Sequence, residues 1–329
     1  MAVTRATLFE KVQIGLETTP GTQVPANKLM TAMSISLSPQ TEIQKFRPAG
    51  IKFMSQSVLN KEWGRATVEG IPTYTEIIFP LASIMGQPVT TGGPAYTHTF
   101  EMTYDGPDDP ATYTVEQGVA PNAMKAGYGL FTSLTIVAAR NENSLSGEMM
   151  TQIVEDGITP TASPDTVALK PIIAKSWDVY ANDTVGAIGT TRLGNAFRVE
   201  FRINDRYRSK WPLRSDIDSY AGHVEVAPTV QLMVRVEADA DAVAFVTALQ
   251  QGDSKYIRLV STSGTDYITG TTPWKFQVDF NGVVTEAAPL SDEDGVVTRE
   301  FTFDAKLDTA WGGGRALQVV VVNEIASLA

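Results

Sequence analysis

The chain of 329 residues contains no cysteine. This absence excludes a disulfide-bonded scaffold, a thiolate nucleophile and zinc held by cysteine. Histidine is scarce as well, since only His98 and His223 occur. Neither accompanies a G-x-S-x-G sequence, so the chain does not have the pattern of a serine hydrolase. We interpret both histidines as packed or interface residues.

Long apolar runs are missing too. No run reaches the roughly 18 residues that a membrane-spanning helix needs, and the start "MAVTRATLFEKV" lacks the continuous apolar stretch of a signal peptide. The acidic segments "YDGPDDP" and "SDEDG" have the composition of exposed turns and lack the spacing of a calcium loop. We therefore expect no membrane partner, no enzyme activity, no metal site and no cofactor. An all-β hydrolase is an alternative for which no pair of catalytic carboxylates can be named.

Basic residues are outnumbered by acidic ones, 26 against 37, which gives a net charge of -11. Affinity for nucleic acid comes mainly from Lys and Arg, so this balance opposes stable nucleic-acid binding. It favours solubility and also suits a surface along which a polyanion passes without sticking. A hydrophobic share of 43% is enough to build a sizeable core.

Strict alternation of apolar and polar residues dominates the chain and predicts half-buried β-strands. "FRVEFRIN" places Phe197, Val199 and Phe201 on one face and charged residues on the other. Two stretches have helical spacing instead. These are "TYTEIIFPLASIMG", which Pro80 should kink or shorten, and "ADADAVAFVTALQQGD", with an aspartate as N-cap and Gly252 as C-cap. We predict an all-β fold with two short helices.

The two predicted helices stand at corresponding places in the two halves of the chain. Each follows a strand, precedes a hairpin-like pair and is followed by two further strands, which indicates an internal duplication. The Pro- and Gly-containing stretch "EDGITPTASPDT" separates the halves. We predict an N-terminal arm over residues 1–30, a first domain over 31–155, a linker over 156–166 and a second domain over 167–329.

Each half carries a basic and aromatic segment ahead of the strand that leads to its helix. The first includes Arg47 and Trp63; the second is "RINDRYRSKWPLR". Basic residues interleaved with aromatic ones can bind single-stranded nucleic acid. A contact with an acidic neighbouring subunit explains the same residues, and the overall acidity of the chain favours that interpretation.

Three stretches resemble the tail tube, or major tail, proteins of bacteriophages with long non-contractile tails. Members of that family often open with a G-x-E-x-T-P-G-T arm followed by a strand and an R-P-x-G turn. The corresponding residues here are Gly15, Glu17, Thr19, Pro20, Gly21 and Thr22, and then Arg47, Pro48 and Gly50. The strand–helix unit "GRATVEGIPTYTEIIFPLASIMG" is the third stretch. The resemblance covers mainly the first half of the chain.

The resemblance implies duplicated β-sandwich or barrel-like tube domains whose strands join those of neighbouring copies around a ring. Stacked rings would form a tube in the virion tail, assembled in the host cytoplasm, with the tape measure protein and DNA passing transiently through an acidic lumen. Two tube domains per chain would make the ring a trimer with pseudo-sixfold symmetry rather than a hexamer. The alternative is a carbohydrate-binding or adhesin-type β-sandwich of a tail tip.

On this basis we assign two sets of candidate residues. The candidates for contacts between subunits are Glu17, Pro20, Gly21, Arg47, Trp63, Arg206, Arg208, Lys210 and Trp211. The candidates for the lumen are Glu62, Glu69, Glu200, Glu225 and Glu237. We expect the arm, which has too little apolar surface to fold alone, to be ordered by a neighbouring subunit.

Overall fold

Strands dominate the computed structural model, which describes residues 10–329. In these residues the chain forms 21 strands and two α-helices, so the predicted all-β class with two short helices is confirmed. The helices are α1 (Ile78–Met85) and α2 (Ala240–Gln251). The strands of the first half are β1 (Lys11–Leu16), β2 (Lys28–Met30), β3 (Met33–Phe46), β4 (Gln56–Gly70), β5 (Val89–Gly92), β6 (Tyr96–Glu101), β7 (Tyr113–Gly118), β8 (Ala123–Ala139), β9 (Asn143–Thr151), β10 (Val154–Ile158) and β11 (Asp165–Thr166). Those of the second half are β12 (Trp177–Asn182), β13 (Ala196–Asn204), β14 (Tyr207–Lys210), β15 (Gly222–Glu225), β16 (Thr229–Glu237), β17 (Ser254–Thr269), β18 (Thr272–Ala287), β19 (Ser291–Glu293), β20 (Val296–Ala305) and β21 (Leu317–Asn323).

One layer of the molecule is a continuous antiparallel sheet of eight strands in the order β3–β4–β9–β8–β13–β16–β20–β18. Its first four strands come from the first half of the chain and its last four from the second. Alternate residues of these strands face the core, for example Ile35, Val68, Phe201 and Phe303, all buried.

The two groups of four strands repeat the same pairing order. β9 lies between β4 and β8, and β20 lies in the same way between β16 and β18. Each group also has a register shift at the same place, between Phe131 and Ser133 in β8 and between Val284 and Glu286 in β18. A β-bulge at matching positions is a local feature that two unrelated sheets would not share by pairing order alone. The eight-stranded sheet therefore consists of two copies of one four-stranded unit.

Both helices lie where the sequence predicts them. Asp239 is the N-cap of α2, because its side chain accepts hydrogen bonds from the backbone N–H groups of Asp241 and Ala242, and Gly252 closes the helix in the left-handed conformation. Helix α1 is buried along its whole length, and Pro80 lies in its first turn, where a missing N–H interrupts no helical hydrogen bond. The helix is therefore short rather than kinked. No helix within residues 10–329 is long and apolar enough to cross a bilayer.

The opposite layer also mixes the two halves. Strands β12, β17, β18, β21, β6 and β5 pair in that order, so two strands of the first half complete a sheet of the second. His98 of β6 bridges this junction through hydrogen bonds with Thr90 Oγ1 (2.9 Å) and Asn323 Oδ1 (3.0 Å). Burial lowers the pKa of His98, which favours the neutral ring at this position. The expected packed role of this histidine agrees with its contacts.

The predicted division into two domains needs correction. Buried residues of both halves form one contiguous core, and the halves share the β8–β13 and β6–β21 pairings. The expected linker over residues 156–166 is also structured, because β10 and β11 begin and end within or beside it. Thr161 is fixed there by hydrogen bonds with Gln13, Ala26 and Glu116. The repeat is thus a repeat of strands within one folded unit.

The predicted N-terminal arm is wrong for its described part, residues 10–30, while residues 1–9 lie outside the described residues. Strand β1 pairs with both β2 and β7 of its own chain. Polar residues of this region are ordered by a buried carboxylate: Glu17 accepts hydrogen bonds from Gly21 N–H (2.8 Å), the hydroxyls of Thr112 (2.9 Å) and Thr114 (3.0 Å), and Tyr128 N–H (2.9 Å). Intrachain polar contacts replace the neighbour that we expected.

We predict that Glu17→Ala lowers the free energy of unfolding by about 2 to 4 kcal/mol, because four donors lose their acceptor and several are buried. Denaturant titration of the purified protein measures this change. Exposed Glu10→Ala is the matched control and should change stability by less than about 0.5 kcal/mol. Equal, small effects of the two variants would show that Glu17 does not hold residues 11–30 in place.

Candidate assembly surfaces

The outer face of the eight-stranded sheet is polar and carries ion pairs that cross between strands. Arg65 pairs with Glu148, and Arg235 pairs with Glu300 (2.9 Å) and Glu293 (3.1 Å). At the centre of the sheet, Glu200 is shared by two neighbouring arginines. These are Arg198 (3.1 Å) and Arg202. Each of the four arginines that residues 10–329 place on this face thus has a carboxylate partner, which reduces its attraction for a passing anion.

Three of the five lumen candidates lie on this polar face. Side chains of Glu69, Glu200 and Glu237 point to this face between core residues of β4, β13 and β16. Glu200 is nevertheless buried on it, at 5% exposure, between Arg198 and Arg202. Glu62 also belongs to β4 but is separated from Glu69 by an odd number of residues, so it points to the opposite side. Glu225 belongs to a separate two-stranded sheet and pairs with Arg206 at 2.6 Å. The assignments of Glu62 and Glu225 to the polar face are therefore wrong.

A long β-hairpin projects beyond the sheet at the junction of β3 and β4. Among the described residues, 40–46 pair only with residues 56–63 of the same hairpin, whereas residues 64–70 also pair with β9. Large apolar side chains are exposed along the projecting part, with Phe53 at its tip 78% exposed. The others are Ile43, Phe46, Ile51, Met54, Val58 and Leu59. An isolated two-stranded hairpin is marginal in water, and a patch of this kind marks an interaction surface.

The corresponding insertion of the second half, between β13 and β16, folds back onto its own chain. Its short hairpin, β14 and β15, buries Tyr207 and Tyr220 against Tyr128 of β8. The ring of Trp211 meets that of Trp63 edge to face at 5.9 Å, and Lys61 lies over the Trp211 ring at 5.5 Å. The basic and aromatic segments of the two halves therefore contact each other within one chain.

Arg206 is a buried cation of this insertion. Its guanidinium is 3% exposed, pairs with Asp108 and Glu225, and donates a hydrogen bond to the carbonyl oxygen of Ile84 at the end of α1 (3.2 Å). A cation so enclosed is satisfied within its own subunit. The sequence-based assignment of Arg206 to a contact between subunits is therefore wrong.

The remaining contact candidates divide by exposure. Glu17 is buried, Gly21 packs against the Tyr128 ring and Gln152, and Trp63 and Trp211 are half-buried against each other. The exposed candidates are Pro20, Arg47, Arg208 and Lys210. Arg47 lies beside the tip of the projecting hairpin, so it belongs to the same surface as Phe53. Sequence alternation could have revealed the apolar residues of that hairpin, but it gave no sign that they are uncovered.

No protein-family model matches the chain, and no curated protein matches it in sequence.

We predict that Arg206→Ala lowers the free energy of unfolding by about 3 to 5 kcal/mol, because it leaves the buried Asp108 carboxylate without its partner. Thermal and denaturant unfolding measure the loss. Arg208→Ala, two residues further on and exposed, serves as the control and should stay within about 0.5 kcal/mol. A stable Arg206→Ala protein with impaired association would restore the interface role that we withdraw.

Proposed function

We propose that the chain is a structural subunit of a phage tail tube, which assembles into stacked rings around a conduit for DNA. The observation that carries this proposal is the internal repeat: two four-stranded units are joined side by side within one chain, through β8 and β13. A contact between unlike edges that is repeated by rotation generates a ring.

Ring closure would also pair the strand edges that a single copy leaves open. Among the residues that the structure describes, the first strand of the repeat, β3, has a sheet neighbour on one side only, and an unpaired edge invites uncontrolled association. Joining edges around a ring removes them. Because each chain contributes two units, we propose a trimer with pseudo-sixfold symmetry.

The polar face of the sheet supports the proposed conduit. Its arginines are engaged with carboxylates, and the chain carries a net charge of -11. DNA is held mainly by cations that neutralise its phosphates, so a lumen lined by this face would bind DNA weakly. The tape measure protein and DNA would thus be transient occupants, as the resemblance implies.

The projecting hairpin supports stacking of rings. Its apolar side chains lie outside the sheet layers, where an adjacent ring would cover them. A tail-tip adhesin, the second candidate, would present tryptophans as a platform for sugars. That reading has less support, because Trp274 and Trp311 are buried and Trp63 is packed edge to face on Trp211.

We predict that the purified protein forms rings and tubes in negative-stain electron microscopy. The variant Ile51→Ser/Phe53→Ser/Met54→Ser should keep the fold, since these side chains are exposed, but should lose long tubes because ring stacking loses its apolar contacts.

Leu213→Ser is the matched control, since Leu213 is fully exposed elsewhere on the surface, and it should assemble like the parent protein. Tubes of normal length from the triple variant would contradict the role of the hairpin. A parent protein that stays a monodisperse monomer under all conditions would contradict the proposed function itself.

A further inference from the structure

The junction between the two repeats is a fully built edge-to-edge contact. Strand β13 pairs antiparallel with β8, with Phe201 opposite Ile136 and Arg202 opposite Thr135. Phe201 and Ile136 are both completely buried. This internal junction therefore shows how the edge of one repeat pairs with the edge of the next.

The matching bulges align the two repeats residue by residue. With Thr132 of β8 set equivalent to Thr285 of β18, the pairings through β9 and β20 make Leu37 of β3 equivalent to Phe201 of β13. Ser36 then corresponds to Glu200. Strand β3 is therefore the counterpart of β13, but no strand within residues 10–329 takes the place of β8 beside it.

The open edge of β3 has no strand partner within residues 10–329, and two of its outward positions are protected in other ways. Leu37 N–H, which points away from β4, donates to the side-chain oxygen of Gln117 at 2.7 Å. The next outward position is Pro39, which has no N–H to offer. In the free chain these two features keep the edge strand from pairing indiscriminately. A partner strand that pairs at Leu37 must therefore displace the Gln117 side chain from this N–H.

The other open edge lies at the end of the second repeat. The chain from Ala287 through β19 stays beside β20, with Ala287 opposite Phe301 and Ser291 opposite Thr298. By the same alignment this stretch is the counterpart of the part of β8 that receives β13. One extra residue lies between these two pairings, so that the partners in β20 make Leu290 the counterpart of the buried Ile136 and Ser291 the counterpart of Val137. Leu290 is nevertheless 63% exposed. The residue that is buried inside the chain at one junction is uncovered at the other.

We propose that β3 of one copy pairs antiparallel with the Ala287–Glu293 edge of a second copy, in the register of the β8–β13 junction. Ser36 then lies opposite Ser291, and Leu290 packs beside Leu37. The partner is another copy of this chain, because the new contact continues a junction that the chain already forms internally. This inference rests on the proposed function and specifies the contact within a ring.

The side chains of the two edges fit this register. On the polar face, β3 presents Ser34, Ser36 and Ser38, and the opposing edge presents Ser291. These small side chains lie where the internal junction has the ion-paired arginines and Glu200, so no charge is left without its partner by the contact. The pair Ser36–Ser291 corresponds to a non-hydrogen-bonded position, where opposing Cα atoms are about 4.5 Å apart. That separation lies within the range that a disulfide spans.

Cysteine cross-linking tests this register directly, because the chain has no cysteine of its own. Ser36→Cys and Ser291→Cys proteins are mixed, assembled, oxidised and run on a non-reducing gel. We expect a covalent dimer from the mixture and little from either variant alone. The double variant Ser36→Cys/Ser291→Cys should give a ladder that ends at the number of chains in one ring, three chains of 35.5 kDa.

Two controls separate register from folding and reactivity. Thr135→Cys/Arg202→Cys should form a disulfide within one chain, because these residues face each other at the internal junction. Ser146→Cys, exposed on the same face but in the middle strand β9, should not cross-link to Ser36→Cys. Assembled rings without a Ser36–Ser291 cross-link would overturn this pairing and leave the tube function standing. Absence of any ring by microscopy would overturn both.

Discussion

The antiparallel pairing of β8 with β13 is the contact on which the rest of the structure depends. It turns two groups of four strands into one sheet, aligns their apolar faces on one core and places their polar faces side by side. Because β8 is also paired at its other end with β7 and β10, the same strand ties the N-terminal region to the sheet. The bulge in β8 lies between the part that pairs with β7 and β10 and the part that pairs with β13.

The two insertions of the chain differ in their packing. Between β13 and β16, the insertion is folded inward around Arg206, whose charge is balanced by Asp108 and Glu225. Between β3 and β4, the equivalent connection is drawn out into a hairpin with uncovered apolar side chains. The buried ion pairs of Arg206 are satisfied within the subunit, whereas the apolar side chains of the hairpin are exposed. The insertion between β13 and β16 therefore contributes to packing within the subunit, whereas the hairpin between β3 and β4 presents an exposed apolar surface.

Local sequence features predicted local structure well. Alternation in "FRVEFRIN" indicated β13, and the caps Asp239 and Gly252 bounded α2, because both depend on near neighbours in sequence. The pairings of β6 with β21 and of β8 with β13 were not predictable in this way, since strand partners far apart in sequence are chosen by the whole core. Glu17 looked like part of a polar arm because its four donors lie as far away as Tyr128. The sequence did not distinguish Arg206 from the basic residues around it, because composition does not show which side chains are buried.

In the proposed tube, the two repeats of a chain are successive segments of a larger closed sheet. The symmetry of the assembled ring in a cryo-electron microscopy reconstruction tests it most directly. The account predicts three chains around the axis and six similar four-stranded segments, with β3 of each chain beside β19 of the next. A ring of six chains, or one in which the polar face of the eight-stranded sheet points away from the axis, would contradict it.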